Sequence, residues 1–183
     1  MRVRVALVIG HSQKRQGAYN QLYKMSEFKF NDMVAHNIEE FGGIDGITLV
    51  YRDSYKDLPD QINRLGPEII FSLHCNAFNT QASGTEVLYY HTSKMGKLIA
   101  GITQNHIVSA LELPDRGIKA KKEEDRGGYL LRYTDAPCVI VEPFFIDNND
   151  DYRKVRGRLD KLIFAYIESI KDALAINIRG DRQ

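Results

Sequence analysis

The stretch Val3-Arg4-Val5-Ala6-Leu7-Val8-Ile9-Gly10-His11 reads as a short, apolar, largely β-branched strand that stops at a histidine. A near-continuous run of this kind suits a strand covered on both faces, because both alternating sets of side chains are buried. Two later runs repeat the pattern: Glu68–Leu73 ends at His74, and Cys138–Val141 ends at Glu142. If the three are parallel neighbours, their carboxyl ends share one edge of the sheet, where open α/β folds place ligand sites. Two imidazoles and a carboxylate then converge on that edge.

Around these runs the chain alternates between strand and helix patterns. Ser26 is placed to cap a helix over Glu27–Phe41, with Phe30, Met33, Val34, Ile38 and Phe41 at helical spacing and Gly42-Gly43 ending it. Ile47–Tyr51 reads as a strand, Leu58–Leu65 as a short helix, Thr85–Tyr90 as a strand. Met95–Ala110 reads as a helix turning Leu98, Ile99, Ile102, His106 and Ile107 inward. Residues 115–128 are polar and punctuated by glycine, which predicts a long exposed loop, and Tyr129–Tyr133 suggests a short strand. Tyr152–Ala175 is a closing helix with Val155, Leu159, Leu162, Ile163, Tyr166, Ile167 and Ile170 inward. The expected fold is a single α/β domain over residues 1–183, a twisted, mostly parallel sheet with helices on both faces.

Composition agrees and narrows the function. The 183 residues are 43% hydrophobic and 27% charged, which excludes disordered and fibrous classes. A net charge of +1 leaves no global basic field, so nucleic acid is not an expected partner. Two cysteines make no disulfide framework and point to a reducing compartment of synthesis. Val5–Ile9 is too short for a signal-peptide core, and no run suits membrane insertion. Synthesis in the cytoplasm without a signal peptide is the expectation, and no feature specifies an oligomeric state.

The chemistry lies with four residues. A helix that follows a parallel strand begins at the carboxyl edge, so Glu27, in the first turn of its helix, joins His11 and His74 there. Two histidines and one carboxylate suit a catalytic zinc, one per chain, with a fourth position left for water. Zinc lowers the pKa of such a water to about 7, and Glu142 remains as general base to take its proton and return it to a leaving amine. Amide hydrolysis is the reaction these groups support. His74-Cys75-Asn76 does not make a cysteine nucleophile, because neighbours on a strand point to opposite faces. Cys138 reads as inert packing, His36 and His91 as surface residues, and His106 as a core histidine. Lys119–Arg126 reads as a solvated loop.

These residues carry a resemblance. Ile9-Gly10-His11, Glu27, Ser72-Leu73-His74-Cys75-Asn76-Ala77, Gly84–Tyr90 and Pro137–Asn148 together resemble the zinc-dependent N-acetylmuramoyl-L-alanine amidases of the amidase-3 type, above all the catalytic domains of phage endolysins. The resemblance implies zinc on His11, Glu27 and His74, Glu142 as the catalytic residue, and peptidoglycan cleaved between N-acetylmuramic acid and L-alanine. It further implies a lysin that reaches the wall with a holin-type release system. Asn76, Arg126 and Arg132 are candidate substrate-binding residues. Where family members often place glycines after the first histidine, this chain has Ser12-Gln13-Lys14-Arg15-Gln16-Gly17, and Cys75 stands where a small residue is usual. No insertion for an autoinhibitory helix lies between Glu27 and His74, and no separate cell-wall-binding domain is expected. A zinc peptidase or carboxypeptidase acting on small peptides, or a non-catalytic peptidoglycan-binding protein, are the alternative readings.

Overall fold

A computed structural model describes residues 2–180. The sheet has six strands: β1 (Val5–Ile9), β4 (Ile47–Val50), β5 (Ile69–Leu73), β6 (Thr85–Tyr90), β7 (Asp115–Lys121) and β8 (Cys138–Glu142), in the order β4-β1-β5-β8-β6-β7. The four strands β4, β1, β5 and β8 are mutually parallel, and β6 runs antiparallel to β8. A two-stranded hairpin, β2 (Tyr19–Asn20) with β3 (Met25–Ser26), precedes the first helix.

Helices cover both faces, and the alternation of the buried strands shows why those strands are apolar throughout. Val5, Leu7 and Ile9 of β1 pack with Phe71 of β5 and Val139 of β8 under α1 (Glu27–Phe41), α3 (Lys94–Leu111), α5 (Asn149–Arg156) and α6 (Leu159–Gly180). Ala6, Val8, Ile70 and Ile140 face the other way, against Leu58 and Ile62 of α2 (Leu58–Asn63) and Leu130 and Leu131 of α4 (Gly128–Tyr133). The expected mostly parallel sheet with helices on both faces is therefore the observed one.

Four local expectations are corrected. Residues 115–121 form the edge strand β7 and not a loop; with one neighbour and partial exposure it needs no apolar run, and Gly117 at φ 74° marks its irregular register with β6. Tyr129–Tyr133 lies in the helix α4 and not in a strand; Leu130 and Leu131 are its buried side, and Tyr133 is 43% exposed. The closing helix is two helices, α5 and α6, parted at Gly157, with the Asn148 side chain capping α5 by accepting from Asp150 and Asp151 amides. The inner face of α3 holds Gly96, Ile99, Ala100, Thr103, Gln104, Ile107 and Leu111, whereas Leu98 is 47% exposed. Gln104 takes an inner place because its amide donates to Thr85 O and Asp115 Oδ1 at the strand ends. His106, displaced outward, is partly exposed and lies 2.9 Å from Asp172 rather than in the core.

Candidate metal centre

The carboxyl ends of β1, β5 and β8 lie side by side, so His11, His74 and Glu142 reach one cleft. Alternation puts Ser72 and His74 on the same side as Ile140 and Glu142, and all four line it. Glu27 arrives from the N-terminus of α1. The Ser26 Oγ accepts from Lys29 N, fixing that first turn, and Glu27 itself is buried.

One ligand atom each from His11, Glu27 and His74 lie within 4.8 Å of one another. Glu27 Oε1 is 2.8 Å from His74 Nδ1, and Glu27 Oε2 is 2.9 Å from His11 Nε2. The carboxylate also accepts from the Cys75 and Ala18 amides, which leaves its orientation no freedom. Burial pushes the Glu27 carboxyl upward, but pairing with both imidazoles outweighs it and holds the group well below the usual carboxylate range.

The residues fit a divalent cation. His11 Nε2 is buried and, despite its 2.9 Å approach to Glu27, has no aligned hydrogen bond. Two imidazoles and a carboxylate are the donor types of a three-ligand zinc centre with an open position. The backbone closes tightly around them: His11 adopts φ 68°, and a Cβ on Gly17 would lie 2.5 Å from His11 Cδ2 and 2.6 Å from Glu27 Oε2. Gly17 is thus required by close approach as well as by its φ of 76°.

Glu142 stands at the same cleft, with Oε2 buried and unpartnered. Burial pushes its pKa well above the ordinary value, the charges of Glu27 and Glu86 add to this, and Arg126 and Lys121 oppose it. Cys75 is buried on the opposite side among the core residues, and burial first, with the charges of Glu27 and Glu142, pushes its thiol up as well. It is an inert neutral thiol.

The cleft has a volume of about 420 Å³. Asn76 and Arg126 line it, as do Lys121, Glu124 and Asp125. Arg132 does not; it stacks over Tyr90 and Tyr133. The sequence reading missed Arg52, Glu86, Tyr55 and Tyr129, all on the cleft wall. Arg52 had a signal, since it follows β4 at the same strand edge, and its Nη2 stands 3.4 Å from His11 Nδ1. Glu86 had none, because its place depends on β6 running antiparallel to β8.

Fold and site together define an α/β protein with a two-histidine, one-carboxylate centre at the carboxyl edge of its parallel strands. Residues 5–172 match the N-acetylmuramoyl-L-alanine amidase family, and the chain belongs to it. An uncharacterized cell wall amidase of Bacillus anthracis is 34% identical over 113 residues, covering 55% of this chain and 20% of that protein. The N-acetylmuramoyl-L-alanine amidase LytC of Bacillus subtilis is 26% identical over 115 residues, 60% of this chain and 22% of that one. The chain thus spans about a fifth of the length of these two relatives. Among solved structures, an N-acetylmuramoyl-L-alanine amidase from Clostridium difficile 630 superposes with a TM-score of 0.82 at 21% identity, covering 96% of this chain and 98% of that one. The catalytic domain of the CD27L endolysin, which targets Clostridium difficile, superposes at 0.71 with 23% identity, covering 94% and 97%.

Proposed function

We propose that this chain hydrolyses the amide between the lactyl group of N-acetylmuramic acid and L-alanine in peptidoglycan, with zinc held by His11, Glu27 and His74. The observation that carries this reading is the convergence of those three ligand atoms within 4.8 Å at a cleft that also holds Glu142. When bound there, zinc supplies a Lewis acid that polarises a carbonyl and acidifies water. Glu142 takes the proton of the attacking water and delivers it to the alanine nitrogen, which leaves as a neutral amine. Its raised pKa suits both halves of that task, since a base and acid in turn works best near the operating pH. Asn76, held by Glu86 through its Nδ2, and Arg126 orient the substrate on the far wall.

In this reading the protein is a lysin, made in the cytoplasm and released to the wall through a holin-type system; the likeness to an endolysin catalytic domain supports that role. Among the described residues no helix is long and apolar enough to cross a membrane. Residues 5–172, the span of the family match, act as one catalytic domain. The test is product analysis on purified walls with and without a chelator. Free glycan and intact stem peptides, lost on chelation and in Glu142→Ala, support the proposal. Cleavage between stem amino acids points to the peptidase alternative, and wall binding without turnover to the non-catalytic one. Asn76→Ala and Arg126→Ala raise KM while keeping the metal.

A further inference from the structure

The cleft lining is of two chemistries. Asn76, Glu86, Lys121, Glu124, Asp125 and Arg126 are polar or charged. Beside the metal centre a row of tyrosines begins. The Arg52 guanidinium, next to His11, lies 5.7 Å from the Tyr55 ring centroid; Tyr55 lies 5.7 Å from Tyr129, and Tyr129 lies 4.8 Å from Tyr133. Tyr55 and Tyr129 line the cleft, and Tyr133, one helical turn further along α4, carries the row out of it.

Two of these rings are held by their hydroxyls. Tyr129 donates to Lys56 O and Tyr133 to Glu123 Oε1, while Tyr55 and Tyr133 stay 41% and 43% exposed. The core on this face closes without Tyr55 and Tyr133, through Leu58, Ile62, Leu130 and Leu131. Partly exposed rings with guanidinium groups over two of them, Arg52 by Tyr55 and Arg132 by Tyr133, continuous with a polar cleft, are a surface for a ligand that combines apolar faces with hydroxyl edges. Sugar rings have that character, with C–H groups on one face and hydroxyls around the rim. A free carboxylate of a peptide instead suits Lys121 and Arg126.

We propose that Tyr55, Tyr129 and Tyr133 form a glycan subsite that stacks the sugar rings flanking the scissile amide and directs the peptide toward Lys121 and Arg126. This rests on the amidase reading for the choice of polymer. Peptide-free chains of alternating N-acetylglucosamine and N-acetylmuramic acid contain no scissile amide, so they can be titrated into the wild-type protein and followed by calorimetry. Saturable binding is expected, weakened about tenfold by Tyr133→Ala and retained by Tyr133→Phe, which keeps the ring. Phe164→Ala, removing a 63% exposed ring on α6, is the control and leaves binding unchanged. On wall fragments Tyr133→Ala raises KM more than it does on N-acetylmuramoyl-L-alanine alone. Absence of binding, or equal binding by Tyr133→Ala, overturns the subsite while leaving wall hydrolysis intact. Tyrosine-dependent glycan binding in a protein that never releases stem peptides overturns the amidase reading and keeps the subsite.

Discussion

Glu86 and Glu142 are register partners across the antiparallel β6–β8 pair, yet their carboxylates meet different fates. Glu86 accepts from Asn76 Nδ2 and from Arg116 Nε, each at 2.9 Å. Glu142 Oε2 has no partner. Neighbouring acids are thereby divided into a paired group that orients a cleft residue and an unpaired one, raised in pKa, that is free to exchange a proton.

Glu142→Gln is expected to lower hydrolysis by about 10²–10⁴, the usual contribution of a positioned acid–base group. Zinc content measured by atomic absorption stays at the wild-type level, because Glu142 is not among the three converging ligands. Loss of metal in this variant would remove it from the role of base.

The same substitution tests the cost of burying that carboxylate. The folded-state pKa of Glu142 is raised, so its contribution to stability is present below the unfolded value and lost as pH rises through the folded one. Metal-free Glu142→Gln should therefore melt above metal-free wild type at alkaline pH, by about 2–4 °C for each kcal/mol recovered. The gap closes toward about pH 4, where an unperturbed glutamate titrates. A gap that widens on acidification contradicts the sign.

Glu86→Gln removes one of the negative charges that raise Glu142, after burial and Glu27. The acid limb of the pH–rate profile then moves to lower pH, while the weakened hold on Asn76 raises KM about fivefold, equivalent to ~1 kcal/mol. An unmoved acid limb would show that Glu86 acts on Asn76 alone.

Gly17→Ala places a methyl group against His11 Cδ2 and Glu27 Oε2 at a residue with φ 76°. Zinc affinity, read by competition with a chelator, falls about 10–100-fold, the range seen when groups supporting metal ligands are disturbed. Wild-type affinity in Gly17→Ala would mean that the ligands sit elsewhere when loaded.

His11→Ala and His74→Ala should each abolish stoichiometric zinc binding. His36→Ala is the control, since that imidazole is 56% exposed beside Asp32 and Glu39, away from the cleft. Zinc retained by both cleft variants would refute the assigned centre.

Much of the fold was legible because burial on both faces leaves a plain mark. β1, β5 and β8 are fully buried along their length, and their sequences are correspondingly apolar. β7 left no such mark: an edge strand pairs through its backbone, so Asp115–Lys121 carries polar side chains and reads as a loop. Tyr129–Tyr133 misled in the other direction, since tyrosines favoured in strands here flank Leu130 and Leu131, the residues a short helix turns onto the sheet. On α3 the inward turn of Ile99 and Ile107 was legible and the outward place of Leu98 and His106 was not, because Gln104 is buried for its hydrogen bonds rather than for apolar area.

By itself the sequence determined which strands are central and that each ends in a histidine or glutamate, because these are local properties of composition and order. Only the tertiary structure decided the strand order β1-β5-β8 that makes those ends neighbours, the reversal of β6 that sets Glu86 against Glu142, and the tyrosine row built from α4 and the segment before α2. Those relations join residues distant along the chain, and they are set by how twisted strands and helices pack together, which no local run of residues encodes.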